Sequence, residues 1–448
     1  MAFLLLFPKR TGVAPGVRRS RLASLLCPYR GEPQAYELAH GTLYASSLAD
    51  IAPTRISIPT GTRRNPQTSW LDIQTDHDGV RFETDPLGTF PLWVAEDDSR
   101  LFVTSEVKSL LAVDGFRIAF EPERWPANRK RLPDYSPYGN VRRVFPGAAL
   151  HVSPDLATRE QRATPLDYRP ATMLTVAQDQ ADRLDAALLA SASAMAEASG
   201  PWGAFVSGGI DSSLAASLIK RHHGDLRTYT LGTTYANEFS DAAQLAAFLG
   251  AEHARVGATE HDALAQFDRA VFCNETIDGL TAETLAQLGV LLTAAAPSVR
   301  RIVTGYGADL LFGSMLRHEL YMKVTGVDDL QSLIERTCWS GEFAPFHAWS
   351  LGIEVHHLFW EPRVMNCAFQ IPAGASFDGI REKLVMRTLA VERGYMTVEH
   401  AFRKKQALTD GTQFNRLLSE AFGLPDHYSY DAKSARAVAA LQRVFAAG

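Results

Sequence analysis

Apolar residues recur along this chain in two rhythms, and the change between them falls near residue 170. Up to about residue 165 they come in short runs broken by Gly, Pro and Asp. Residues 69–73, 79–83, 91–95, 101–104 and 148–152 read as strands of this kind. The apolar start, residues 2–7, is shorter than a signal core, and its basic residues follow rather than precede it. It reads as a first strand. A long polar–apolar helical pattern then runs over residues 175–198. After it, residues 203–206, 227–231 and 301–304 have the continuous apolar character of buried parallel strands, with helical patterns between them. From residue 316 onward the pattern is mainly helical. The Pro-containing stretch at 163–170 is the natural linker. The prediction is an α/β chain in two domains, 1–165 and 172–448, the second built on a parallel sheet with a helical extension.

The most informative segment lies between the strand at 203–206 and a helical run at 214–221: Val206-Ser207-Gly208-Gly209-Ile210-Asp211-Ser212-Ser213. Paired glycines let the backbone turn sharply and approach a bound anion. The helix that follows points its free N–H groups and the positive end of its dipole at that anion. Ser207, Ser212 and Ser213 supply hydroxyl donors, and Asp211 can hold Mg²⁺ against phosphate charge. The run is a pyrophosphate cradle and implies use of ATP. It lacks the Gly-Lys-Ser/Thr ending of the Walker loop, so ordinary γ-phosphate transfer is not implied. Leu231 and Gly232, at the end of the next strand, are placed by topology to meet the adenine with backbone groups.

A second constellation closes the strand at 301–304: Thr304-Gly305-Tyr306-Gly307-Ala308-Asp309. Gly305 joins the predicted nucleotide site, and Asp309 is positioned to share a Mg²⁺ ion with Asp211. Composition narrows the function classes. At 448 residues there is room for two cores, and a formal net charge of −5 gives no general case for nucleic acid or membrane binding. The four cysteines, Cys27, Cys273, Cys338 and Cys367, are scattered without a CxxC pair. That speaks against a zinc ribbon and a disulfide-stapled fold, and suits a reducing cytoplasm. No apolar stretch is long enough to span a bilayer. His222-His223 and His356-His357 lack the spaced partners of a metal site and read as helix-end and packing residues. Glu275, Asp278 and Glu283 form an acidic patch that either faces a substrate ammonium or is simply solvated.

The two ATP-directed runs together resemble the asparagine synthetase family, within the PP-loop ATP pyrophosphatases that leave AMP on the substrate. The segment Asn237 to His253, ending Leu-Gly-Ala-Glu-His, supports this. In the N-terminal part the resemblance rests on Asp85-Pro86-Leu87-Gly88, Thr104-Ser105-Glu106-Val107-Lys108 and Val144-Phe145-Pro146-Gly147. It implies a degenerate glutaminase-like (Ntn-type) α/β sandwich followed by a PP-loop synthetase domain. Two departures set the expected function. Position 2 is Ala2, where the family's glutaminases have a nucleophilic cysteine. Tyr306 stands where asparagine synthetases have an acidic residue. Gly-Tyr-Gly-Ala-Asp, with Arg336-Thr337-Cys338-Trp339-Ser340-Gly341-Glu342-Phe343-Ala344 and residues 352–360, resembles the β-lactam synthetases, in particular the carbapenam-forming branch.

The resemblance implies an ATP- and Mg²⁺-dependent ligase of antibiotic or toxin biosynthesis. It would adenylate a small β-amino or imino acid and close it to a β-lactam, releasing AMP and pyrophosphate. Tyr306 and Glu342 would form a general-base dyad, since a phenol with a reference pKa near ~10 can pass its proton to a neighbouring carboxylate. Arg403-Lys404-Lys405, followed by Asp410-Gly411, matches the family's lysine-bearing loop; Lys405 would steady the oxyanion and departing pyrophosphate, with Lys404 as its competitor. The partner is a small amino-acid substrate, with neither nucleic acid nor membrane, and homo-oligomerisation is left open. A lasso-peptide cyclase or an ammonia-dependent asparagine synthetase needs no tyrosine at position 306, and a silent scaffold needs no intact PP-loop. Glutamine is expected to be neither hydrolysed nor required; measurable glutamate release would contradict this reading of position 2.

Overall fold

The computed structural model describes residues 3–8, 16–26, 32–45, 50–52, 55–58, 69–124, 136–162, 166–196, 200–313, 327–378, 380–403 and 411–446. Two six-stranded antiparallel sheets occupy the first part of the chain. The first runs in the order Val141–Arg143, Trp93–Glu96, Arg100–Thr104, Phe3–Pro8, Gly41–Ala45, Gln34–Leu38. The second runs Thr158–Gln161, Ala149–Val152, Gly79–Thr84, Leu71–Asp76, Arg55–Ile58, Asp50–Ala52. Their facing residues share one core, in which Phe3 stacks on Phe82 at 6.2 Å between ring centroids. Strand Phe3–Pro8 is central, paired with Arg100–Thr104 on one side and Gly41–Ala45 on the other. Phe3 to Phe7 are buried on both faces of the sheet, which explains the unbroken apolar run.

Two of the N-terminal signature runs meet in this structure. Gly88, in left-handed backbone (φ +61°), packs against the Pro146–Gly147 backbone, where an added Cβ would have no room. Asp85 ties the same turn, accepting from the Thr89 and Phe90 N–H groups at 3.0 and 2.9 Å.

The second architecture is a five-stranded, fully parallel sheet in the order Glu252–Gly257, Leu226–Gly232, Trp202–Phe205, Arg301–Thr304, Glu354–His357. The first strand in sequence, Trp202–Phe205, is central. The chain winds outward from it to one side, then crosses back to begin the other side with Arg301–Thr304. Such a reversal opens a crevice at the carboxyl ends of the two strands where it occurs, the usual ligand position in open α/β sheets. The helix expected over 175–198 is observed as Ala177–Ala196.

The structure adds two edge strands. Glu252–Gly257 begins within the segment that ends Leu-Gly-Ala-Glu-His; the helix before it, Phe239–Leu249, stops at Gly250 in left-handed backbone (φ +59°). Glu354–His357 falls in the region that reads as helical. Among the described residues no helix is long and apolar enough to cross a membrane.

Candidate active site at the carboxyl ends of the parallel strands

The PP-loop leaves the sheet after Val206, whose N–H still bonds to the Tyr229 carbonyl at 2.9 Å. Gly208 turns the chain at φ +73°, and an added Cβ there would lie 2.8 Å from both Arg403 Nη1 and Asp241 Cβ. The helix Ile210–His222 starts behind Gly209, which as N-cap has no side chain to satisfy the first-turn N–H groups. First-turn N–H groups at a helix N-terminus favour a nearby anion. Ser207 and Ser212 brace the loop: the Ser207 N–H donates to Ser212 Oγ at 3.2 Å and the Gly209 N–H to Ser207 Oγ at 3.4 Å. Ser213 departs from the expectation of a hydroxyl donor, because its side chain is fully buried and its Oγ is sealed from the mouth of the loop. Strand Leu226–Gly232 runs past its pairing with Phe205 at Tyr229, so Leu231 and Gly232 extend beyond the carboxyl end of Trp202–Phe205.

The second motif presses on the first. At Gly305 an added Cβ would fall inside van der Waals contact with the Asp211–Ser212 backbone. Gly307 takes φ +96° and caps the short helix Ala308–Phe312, which carries Asp309. Asp211 and Asp309 are brought to one point by a residue that sequence reading missed. Lys383 Nζ lies 2.6 and 2.5 Å from the two Asp211 carboxylate oxygens and 2.6 Å from Asp309 Oδ1. Lys383 is fully buried, with left-handed backbone (φ +65°) at the head of helix Leu384–Glu392. No local spacing announces it; only the fold carries a lysine 172 residues beyond Asp211 to the same crevice. The ammonium stands where two carboxylates converge on a cation, and hard oxygen donors of this kind suit Mg²⁺. Asp211 and Asp309 therefore fit as metal ligands.

Tyr306 directs its hydroxyl to Glu342 Oε1 as a hydrogen-bond donor. An apolar wall surrounds the pair. Phe343 meets the Tyr306 ring edge-on at 4.9 Å and stacks on Trp360 at 4.5 Å. His357 completes it, with Nδ1 2.7 Å from Thr304 Oγ1. Desolvation pushes the Glu342 carboxyl up to about 7 against the opposing pull of the Tyr306 hydrogen bond. Burial lowers His357 to about 3, so its ring stays neutral at physiological pH.

Lys404, Lys405 and Asp410 lie outside the described residues, but both flanks of their segment are fixed near the crevice. Arg403 pairs with Asp241 beside Gly208, and the Thr412 carbonyl accepts from Thr233 Oγ1 at 2.6 Å. Ala2 and Cys27 also lie outside the described residues. The acidic patch divides into structural partners. Glu275 accepts from the Val107 and Lys108 N–H groups, Asp278 caps helix Gly279–Ala295 through the Thr281 N–H, and Glu283 pairs with Lys433. Among the described residues Cys273, Cys338 and Cys367 are free thiols, and the only close set of three metal-type donors is the exposed turn Asp76-His77-Asp78.

Replacing Lys383 by Met would leave two carboxylates facing each other in a partly dry crevice, a defect that costs about 3–5 kcal/mol when one buried partner is removed. The Lys383→Met variant is expected to melt well below the parent, and millimolar Mg²⁺ should restore much of that loss by binding the folded state. A melting temperature insensitive to Mg²⁺ would argue against a shared cation position.

Residues 183–340 match the asparagine synthase family. The chain is 26% identical over 366 residues to carboxyethyl-arginine β-lactam-synthase of Streptomyces clavuligerus, covering 80% of this chain and 67% of that protein. It is 26% identical over 249 residues to asparagine synthetase [glutamine-hydrolyzing] 1 of Bacillus subtilis (strain 168), covering 53% of this chain and 38% of that one. It thus spans about two fifths of the length of the asparagine synthetases it matches. Among solved structures, NMN synthetase from Francisella tularensis matches at 14% identity and a TM-score of 0.28, over 61% of this chain and 97% of that one; nothing further rests on that likeness. The asparagine synthase match over residues 183–340, together with these synthetase relatives, indicates an ATP-dependent C–N ligase.

Proposed function

We propose that this ligase is a β-lactam synthetase, acting on a small β-amino or imino acid in the assembly of an antibiotic or toxin. The observation that carries the reading is the hydrogen bond from the Tyr306 hydroxyl to Glu342 beside the second nucleotide motif. An amino acid whose own ammonium group must attack its activated carboxyl needs a base to free the nitrogen. The similarity to the Streptomyces clavuligerus synthase supports the same reading.

In this reading the chain has a sandwich domain over 1–165 and a synthetase domain over 172–448. The PP-loop N–H groups with Ser207, Ser212 and Gly305 cradle the triphosphate, and Leu231 and Gly232 border the adenine. Asp211 and Asp309 would hold Mg²⁺, which supplies neutralisation of phosphate charge. The substrate carboxylate attacks the α-phosphorus, and pyrophosphate leaves. The substrate ammonium gives a proton to the Tyr306–Glu342 pair, its nitrogen attacks the acyl carbon, and the bond to AMP breaks. Lys405 would meet the oxyanion of that intermediate. The crevice also folds the substrate so that amine and acyl carbon approach, an orientation effect worth several orders of magnitude.

Mass spectrometry with ATP, Mg²⁺ and a panel of carboxyethyl-arginine, carboxymethyl-proline and tabtoxin-like amino acids tests the reading. A product lighter than its substrate by one water, with AMP and pyrophosphate, is expected from one of them. AMP without that product would instead mean intermolecular ligation.

Tyr306→Phe and Glu342→Gln are expected to keep ATP–pyrophosphate exchange while ring closure in a single turnover falls about 10²- to 10⁴-fold, the usual contribution of a positioned base. Parental closure rates in either variant would remove the pair from the chemistry.

The pair also sets a pH dependence. With Glu342 at about 7, only its ionised form can take the phenol proton, so closure should rise with pH through a midpoint near that value and flatten above it. A closure rate that is flat between acid and neutral pH in the parent would contradict the assignment.

A further inference from the structure

The turn that carries Glu342 is held from outside the parallel-sheet unit, and we propose that Arg143, on the edge strand of the first antiparallel sheet, is a positioning residue for that carboxylate. The inference rests on the reading of Glu342 as part of the base pair. Helix Val327–Trp339 ends three residues before Glu342, and its last carbonyls have no partner within the helix. Arg143 takes two of them in a fork, Nη1 donating to the Trp339 carbonyl and Nη2 to the Cys338 carbonyl at 3.0 Å. Its guanidinium lies 5.3 Å from the Trp339 ring centroid and 5.8 Å from that of Trp93, and Phe145 meets Trp339 edge-on at 5.7 Å. A cation at a helix C-terminus is favoured by the dipole, and the planar fork fixes direction as well as distance.

Arg143 cannot drift, because it ends strand Val141–Arg143 in register with Trp93 and is only 9% exposed.

From Trp339 the chain reaches Glu342 through a tightly bonded turn. The Ser340 N–H donates to the Arg336 carbonyl at 2.9 Å, Gly341 takes φ +74°, and the Glu342 N–H donates to Ser340 Oγ at 3.2 Å. A second anchor closes the far side. Asn274 Nδ2 donates to the Gly341 and Ala344 carbonyls at 3.3 and 3.1 Å, and its Oδ1 accepts from the His347 N–H at 3.1 Å. The next residue, Glu275, is left-handed (φ +50°) and binds the Val107 and Lys108 N–H groups at 2.8 and 2.6 Å. Both anchors therefore end on the antiparallel sandwich. A displacement of about 1 Å at a reacting group can cost on the order of 10²-fold in rate. Through this clamp the sandwich shares in the ring-closing site.

The test uses the full chain with Arg143→Gln and Arg143→Lys. In the Gln variant, ATP–pyrophosphate exchange should stay within about twofold of the parent while single-turnover closure falls about 10²-fold. The Lys variant keeps the charge and one carbonyl bond but loses the fork, and should recover about tenfold of that loss. Backbone amide exchange over residues 341–344 should be about tenfold faster in the Gln variant, partly restored in the Lys variant, and unchanged over 202–205.

Closure and pyrophosphate exchange falling in parallel, unchanged closure, or unchanged amide exchange would each overturn the proposal. Should the Gln variant not fold, the Lys variant alone decides: slowed closure with parental pyrophosphate exchange supports positioning, and parental closure ends it. A parent that closes no ring on any substrate would defeat the functional reading, while amide exchange would still report whether Arg143 holds the turn.

Discussion

The ammonium of Lys383 is the point at which three distant stretches of chain meet. Asp211 heads the PP-loop helix, Asp309 follows the neighbouring strand, and Lys383 itself heads a helix from the C-terminal part. Two carboxylates cannot share a partly dry crevice without a cation, because their mutual repulsion and desolvation both rise as water leaves. With the cation in place, Gly305 can press onto the backbone of Asp211 and Ser212. The crevice at the sheet's turning point then takes a definite shape, and Tyr306 emerges just beyond it.

The two ends of the crevice differ in electrostatic character. The end around Lys383 is built of charges, Asp211 and Asp309 beside the ammonium, at the start of the helix Ile210–His222. The opposite end is lined by Phe343, Trp360 and a histidine kept neutral by burial, so the Glu342 carboxyl pays the cost of losing water and rises toward neutrality. A carboxylate with an ordinary pKa would be too weak a base to draw on a phenol. The apolar wall and the raised basicity of Glu342 thus have a common cause, the loss of water around its carboxyl.

What could be read from the chain and what could not divides along physical lines. The PP-loop was legible because its chemistry is local: consecutive glycines, an aspartate and serines between an apolar run and a helix. Even there, Ser213 turned inward, since the first turn of the helix decides which side chains face the loop. Lys383 was invisible because a lysine at a helix start usually signals solvent, and only long-range topology buries it. The strand at Glu252–Gly257 was missed because an edge strand exposes most of its side chains and loses the apolar alternation that marks a strand. The acidic residues Glu275, Asp278 and Glu283 looked like a patch in one dimension and proved to have separate partners in three.

Gly305 and Tyr306 are consecutive. The first is in backbone contact with Asp211 and Ser212 of the glycine-rich loop, and the second carries the phenol that meets Glu342. Adjacent Cα atoms of a trans peptide are ~3.8 Å apart and the unit between them is planar and stiff. The backbone point that touches that loop and the one that bears the phenol are therefore held at a fixed separation by a single peptide plane rather than by a stretch of loop. Any shift of the loop is thus passed directly to the backbone that bears the Tyr306 phenol, with no intervening residue to absorb it.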